Sequence, residues 1–238
     1  RYGADAMDAL RRNPYLLSGE AFGVDFSVSD EIALSMGFSG DSACRTEAGL
    51  LFELSHNEQS GGHVFLPREK LLAATAQLLD CGADAAEKSL DDLIERGSIV
   101  QEQVANVTGC YLRRCHEAES YVCTRVNAML ADKPDKLRGA ERIIDEIERA
   151  QGIEYAPLQR RAVELAAQEE LLILTGGPGT GKTTSVRGIV ALFERMGLDV
   201  LLCAPTGRAA KRMGELCGKE AQTIHRLLGM SWNEQTGG

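Results

Sequence analysis

Apolar and polar positions follow three successive rhythms along this chain. Up to about residue 60, short amphipathic runs broken by small and polar residues predict helices. "DAMDALRRN" stops at Pro14, "SVSDEIALSMG" opens on a Ser cap and closes at Gly37, and "DSACRTEAGLLFELSHN" follows. From Gly61 the rhythm becomes helix, helix, hairpin. "LPREKLLAATAQLLDCG" carries Pro67 at a first-turn position and, like "DAAEKSLDDLIERG", ends at a glycine; "SIVQEQ", a turn at "NVTG" and "CYLRRC" read as two paired strands. Two helices followed by a hairpin predict a winged-helix-like unit. A further helix, "HEAESYVCTRVNAMLA", leads into the polar stretch "DKPDKLRG", the best linker; "AERIIDEIERAQG" then sets Ile143, Ile144 and Ile147 on one helical face.

From about residue 153 helices alternate with strands. "LLILTG" and "DVLLCAPT" are continuous apolar runs, as expected of parallel strands buried on both faces, and the helix between them turns Val186, Ile189, Val190 and Phe193 inward. The expected fold class is therefore α/β plus a mainly helical N-terminal region. Its parts are a helical domain at 1–60, a winged-helix-like domain at 61–132, a connector helix at 133–152 and an incomplete α/β domain at 153–238.

Composition narrows the partners. The 238 residues carry a formal net charge of −9, but unevenly: residues 1–150 hold 16 Lys and Arg against 26 Asp and Glu, whereas residues 151–238 hold 10 against 9. A field of that sign does not hold DNA by itself, because neutralising phosphates is what gives sequence-independent affinity. No apolar run approaches the roughly 20 residues that cross a bilayer, so no membrane partner is expected. The N-terminus has no secretory pattern and no initiator Met, which predicts a piece of a longer protein. Seven cysteines (44, 81, 110, 115, 123, 203 and 217) form no CxxC pair, which fits a reducing, cytoplasmic compartment. Cys110, Cys115, His116 and Cys123 crowd together at a spacing that matches no common zinc site.

One motif carries chemistry. Gly176, Gly181, Lys182 and Thr183 satisfy G-x-x-x-x-G-K-[ST] between an expected strand and an expected helix. Such a loop meets a triphosphate with inward backbone N–H groups and the positive end of a helix dipole. Gly177, Gly179 and Gly181 allow close backbone approach, with Pro178, Thr180 and Thr184 completing the cradle. Lys182 would reach the β and γ phosphates, and the Thr183 hydroxyl would ligate Mg²⁺. ATP and Mg²⁺ are thus the expected cofactors. The loop alone does not name a reaction, since many enzyme classes use it.

Its neighbours do more. "LQRRAV" at 158–163, "GGPGTGKTT", "APTGRAAKRMGEL" at 204–216 and "AQTIHRLLG" at 221–229 together resemble the RecD/TraA family of superfamily-one DNA helicases. The resemblance implies a RecA-like motor domain, with Gln159 selecting adenine and Pro205, Thr206 and Arg208 on a single-stranded DNA track, His225 lying near it. Residues 207–226 hold five basic side chains (Arg208, Lys211, Arg212, Lys219, Arg226) against Glu215 and Glu220. A solvated helix face would look similar. Nothing in sequence marks His225 as a catalytic base; a helix-start role beside Thr223 is the other reading.

Upstream, "NPYLL", "GVDFSVSDEIALSMGF", "AGLLFEL", "FLPREKLL" and "AESYV" stand in the order found in RecD-like proteins with a long N-terminal extension. The resemblance makes "GVDF" a helix-hairpin-helix loop. Where such loops grip phosphate through Gly-x-Gly, this chain has Asp25, a repulsive carboxylate in an acidic region. Scaffolding is the competing role. The winged-helix-like unit has the same problem, because "DAAEKSLDDLIERG" is more acidic than basic.

The acidic motif that helps hold Mg²⁺ and orient water is missing after Pro205, and the family implies that it lies beyond Gly238 with a second motor domain. The expectation is a front-end fragment that binds ATP without efficient hydrolysis, with self-association of an uncovered C-terminal segment. The full-length protein would be an ATP-dependent helicase acting five-prime to three-prime on single-stranded DNA and duplex junctions. Two alternatives stay open: a nucleic-acid or protein docking module with a vestigial nucleotide site, and a P-loop enzyme acting on small molecules. The pathway served, repair, recombination or plasmid transfer, is equally open.

Overall fold

The computed structural model describes residues 6–19, 22–131, 139–177 and 179–230. The chain divides into two compact units, residues 1–123 and 124–238. Pro178, most of the expected linker at 132–138, and residues 231–238 lie outside the described residues. Among the described residues no helix is long and apolar enough to cross a membrane.

The first unit begins with α1 (Ala6–Arg12), a 3-10 turn (Pro14–Ser18) and α2 (Phe26–Ser35). Their core is Tyr15, Phe26, Ala33 and Leu79, with Phe26 stacked on Phe52 at 5.1 Å between ring centroids. Asp30 ties this layer together. It accepts from Arg45 Nε at 2.8 Å, Arg45 Nη2 at 2.9 Å and Tyr15 Oη at 2.6 Å. The Arg45 bonds hold the Asp30 carboxyl below its ordinary range, and burial with the same carboxylate pushes the Tyr15 phenol up.

Helix α2 starts differently from the sequence expectation. Its cap is Asp25, not a serine: the carboxylate accepts from Ser27 N at 2.8 Å and from Ser27 Oγ at 2.6 Å. Both residue types cap helices well, but Asp25 has the extended backbone that lets its side chain turn onto the first free N–H groups. Those same bonds lower the Asp25 pKa. The residue that looked like a defect in a phosphate loop therefore has a local partner.

Helix α3 (Ala43–Gly61) runs into a second core, with β1 (Phe65–Pro67), α4 (Arg68–Leu79), α5 (Ala83–Glu95), β2 (Ile99–Val104) and β3 (Val107–Leu112). Leu50, Leu54, Leu71, Leu90, Leu93, Ile99 and Cys110 form one buried cluster, and burial of each large side chain is worth about 1.5–3 kcal/mol. Gly49 allows α3 and α4 to close, since a Cβ there would stand 2.8 Å from Leu79 Cδ1. The sheet is antiparallel in the order β1-β3-β2. Strand β1 adds to the expected hairpin, which turns at Ala105 and Asn106 with Val104 facing Val107, earlier than "NVTG". Ala105 takes a φ of +52° to make that turn. Helix α6 (Arg113–Ala131) follows directly.

The second unit contains α7 (Ala140–Gln151), α8 (Pro157–Ala166), α9 (Lys182–Arg195), β4 (Leu202–Ala204), α10 (Gly207–Cys217), β5 (Ala221–Thr223) and α11 (Ile224–Leu227). Ile144 and Ile147 of α7 are wholly buried with Tyr155, Val163, Ala167 and Leu192. The isoleucine face read from the sequence thus packs into the core that carries the P-loop helix. On α9 the fully buried positions are Ser185, Gly188, Val190 and Leu192, while Val186, Ile189 and Phe193 are only half-buried. Gly188 sets this rotation, because its bare backbone receives Tyr155 and Val163.

Residues 171–174 do not form the expected strand. Ile173 is 78% exposed, and among the described residues no neighbouring segment hydrogen-bonds to this one as a strand. An apolar run reports a tendency to be buried, but a strand exists only through its partners. The second run does pair: β4 lies parallel to β5, a strand too short to show any alternation, with Leu202 opposite Ala221 and Ala204 opposite Thr223.

Candidate nucleotide and nucleic-acid site

The glycine-rich loop at 176–181 lies immediately before α9, whose N-terminal cap is Gly181. Gly179 and Gly181 have φ of +76° and +81°, the left-handed region that side chains with a Cβ avoid. The Gly181 carbonyl accepts from Thr184 N at 3.0 Å and Ser185 N at 3.2 Å, closing the first helical turn. Thr180 Oγ1 donates to Gly177 O at 2.9 Å and braces the loop. Lys182 Nζ donates to Gly177 O at 2.6 Å and also to Gly176 O. The ammonium therefore lies back over the loop, and no ion pair holds it among the described residues.

A phosphate chain fits these features. No Cβ fills the cradle at 177, 179 or 181, the loop leads into the N-terminus of a 14-residue helix, and the Lys182 ammonium, without an ion pair among the described residues, lies over it. Thr183, exposed in the first turn of α9, carries a hydroxyl on the same end of the helix. Among the described residues no group of three or more His, Cys, Asp or Glu is placed to hold a metal, the Cys110, Cys115 and His116 crowd included. A magnesium ion here would rest on Thr183 and the phosphates.

Gln159 reaches this loop from α8. Its Oε1 accepts from Ala156 N at 3.0 Å, and its amide nitrogen lies over Gly181, so close that a Cβ there would run into it. Residues 22 apart in sequence thus meet at the start of α9.

The expected DNA-facing residues gather at another edge of the same unit. Because β4 and β5 are parallel and in register, both carboxyl ends open on one side of the pair, where ligands of such sheets lie. Pro205 and Thr206 follow β4, and Thr206 Oγ1 caps α10 by accepting from Ala209 N at 3.2 Å. Thr223 ends β5 and caps α11, accepting from Arg226 N at 3.2 Å. Each hydroxyl keeps a hydrogen to donate. Arg208, Lys211, Arg212, His225 and Arg226 are exposed, while Lys219 is paired with Glu194 at 2.8 Å. Gly214 lets α10 approach β5, since a Cβ would meet Lys219 O at 2.9 Å.

A groove of about 640 Å³ in the first unit is lined by Asp25, Phe52, His56 and Gln59 among others. The "GVDF" residues Gly23, Val24, Asp25 and Phe26 border it, while none of the expected nucleotide or DNA-track residues of the second unit does.

A P-loop at a helix N-terminus, a glutamine laid over it and a parallel strand pair with polar caps define the start of an AAA-type nucleotide-binding domain, preceded by a helical region. Residues 159–237 match the family model of an AAA domain. Residues 1–65 match that of the ATP-dependent RecD2 DNA helicase HHH domain. The chain is 31% identical to the ATP-dependent RecD2 DNA helicase of Deinococcus radiodurans over 237 residues, covering 96% of this chain and 33% of that protein. It is 37% identical over 142 residues to the RecBCD enzyme subunit RecD of Mycolicibacterium smegmatis, half of this chain and 24% of that subunit. A shorter likeness, 46% over 68 residues, joins it to the DNA-binding protein SMUBP-2 of Rattus norvegicus, of which it covers 7%. These matches make the chain similar to RecD-like helicases at both of its ends. It spans about a third of the RecD2 relative's length and about a quarter of the RecD subunit's.

Proposed function

We propose that the full-length protein is an ATP-dependent helicase that moves five-prime to three-prime along single-stranded DNA and opens duplex junctions. The observation that carries this reading is the meeting of Gln159 with Gly181 at the start of α9, which supports a site for both a base and a phosphate chain. Lys182 neutralises phosphate charge, the backbone at 177–184 cradles it, Thr183 serves Mg²⁺, and Gln159 offers its amide to the adenine edge. ATP supplies the phosphoryl group whose hydrolysis drives the motor. Pro205, Thr206, Arg208 and His225 line the strand at the edge of β4 and β5. This region alone binds ATP without efficient hydrolysis.

The proposed organisation is a helix-hairpin-helix-like domain at 1–60, a winged-helix-like domain at 61–132, a connector helix at 133–152 whose Ile144 and Ile147 pack into the core of the unit that follows, and a RecA-like ATPase domain at 153–238. The order β1, α4, α5, β2, β3 with a β1-β3-β2 sheet supports the winged-helix reading. The hairpin domain serves as a scaffold. Its helix terminus already carries an anion in Asp25, which leaves a DNA phosphate nothing to neutralise there.

The test is unwinding by the full-length protein on duplexes with one single-stranded tail. Substrates with a five-prime tail are expected to open with ATP, and those with a three-prime tail to stay closed. Opening of the three-prime-tailed substrate alone would overturn the polarity, and opening of neither would overturn the helicase reading.

A further inference from the structure

All three guanidinium nitrogens of Arg160, the neighbour of Gln159 on α8, are engaged by carboxylates. Nη1 donates to Glu148 Oε2 at 2.7 Å, Nη2 to Asp145 Oδ1 at 2.7 Å and Nε to Glu164 Oε1 at 3.2 Å. Two of these acids stand on α7, so the fork ties α8 to that helix. Glu148 acts twice, because its other oxygen accepts from Tyr155 N at 2.7 Å. The backbone leading into α8 and the side chain one turn further on are held by a single carboxylate.

The opposite side of this turn is held as firmly. Tyr155, only 5% exposed, lies against Gly188 of α9, where a Cβ would meet its Oη at 2.7 Å and Val163 Cγ2 at 2.9 Å. Residues 155–160 are therefore fixed between the α7 acids and the P-loop helix. Gln159 sits inside that span with its oxygen on Ala156 N and its nitrogen over Gly181. Partly exposed ion pairs add little stability, but a planar fork with three partners fixes direction as a point charge does not.

We propose that Arg160, through Asp145 and Glu148, is a positioning residue that holds Gln159 at the angle needed to read the nucleotide base. The proposal rests on the reading of Gln159 as the adenine contact. The test uses the full-length protein and compares KM and kcat for ATP and GTP with the affinity for tripolyphosphate, which has no base. Arg160→Gln is expected to raise KM for ATP about tenfold, the worth of one well-placed hydrogen bond, with kcat nearly constant. The preference for ATP over GTP falls in step, tripolyphosphate binds as before, and Arg160→Lys recovers part of the loss.

Asp145→Asn removes one half-exposed contact and is expected to raise KM about twofold to threefold, which keeps the test open if Arg160→Gln fails to fold. Retention of base preference in both variants, while Gln159→Ala loses it, would overturn the positioning role and leave the base contact standing. No base preference in the native protein, with Gln159→Ala silent, would overturn the base contact itself. An equal loss of tripolyphosphate affinity would mean that Arg160 merely maintains the fold, and would also overturn the proposal.

Discussion

Replacing Lys182 by Ala in the full-length protein is expected to lower kcat for ATP hydrolysis by roughly 10²–10³-fold, the usual consequence of removing a group that meets developing charge. The ammonium lies across the loop on the Gly177 and Gly176 carbonyls. No ion pair competes for it among the described residues, so its charge is available to phosphate oxygens. The fold has little stake in it, because the side chain is only half-buried, forms no ion pair among the described residues, and Ala is the better helix former. Circular dichroism should therefore be unchanged. Hydrolysis within a few-fold of the native rate would remove Lys182 from the phosphate site.

Ile147→Ala is expected to cost about 2–5 kcal/mol, the range for emptying a wholly buried branched site. A typical domain has only about 5–15 kcal/mol in total. Ile147 is 1% exposed and packs with Ile144, Tyr155, Val163, Ala167 and Leu192. These residues span α7, α8 and α9, so the loss should reach the helix that carries the P-loop. Hydrogen exchange on the full-length protein should show faster exchange at the amides of α7, α8 and α9, with β2 and β3 protected as before. A loss below about 1 kcal/mol, typical of a surface change, would mean that α7 is a linker laid on this unit and no part of its core.

How far the sequence could be read depended on how local each feature is. The P-loop was legible because its chemistry sits in contiguous residues at fixed spacing, and its glycines at 179 and 181 do hold the left-handed backbone that such a loop needs. The isoleucine face of α7 was legible from helical periodicity. The run at 171–174 misled, since apolarity says nothing about which strand lies alongside. The three-residue β5 gave no period to detect. Asp25 looked like a misplaced charge until Ser27 N and Oγ were found to be its partners. In the Arg160 clamp only Glu164 stands at helical i+4 spacing; Asp145 and Glu148 come from α7, and no spacing rule connects that helix to α8 before the chain is folded.

Pro205, Thr206 and Arg208, the proposed DNA contacts, come to one edge only because β4 pairs with β5. Their place at the carboxyl edge of a parallel pair, with exposed Lys211, Arg212 and Arg226 nearby in sequence, gives a DNA strand both hydrogen-bond donors and positive charge. The acidity of residues 1–150 favours the same proposal, since it disfavours DNA contact in the first unit.

The most direct test of a DNA-coupled motor is the steady-state rate of ATP hydrolysis by the full-length protein with and without saturating single-stranded DNA, at fixed ionic strength. Many-fold stimulation by the strand, weakened when Arg208 is replaced by Ala, is the predicted result. A rate indifferent to DNA would contradict the account and favour a P-loop enzyme acting on small molecules, and no hydrolysis under either condition would favour a docking module with a vestigial nucleotide site.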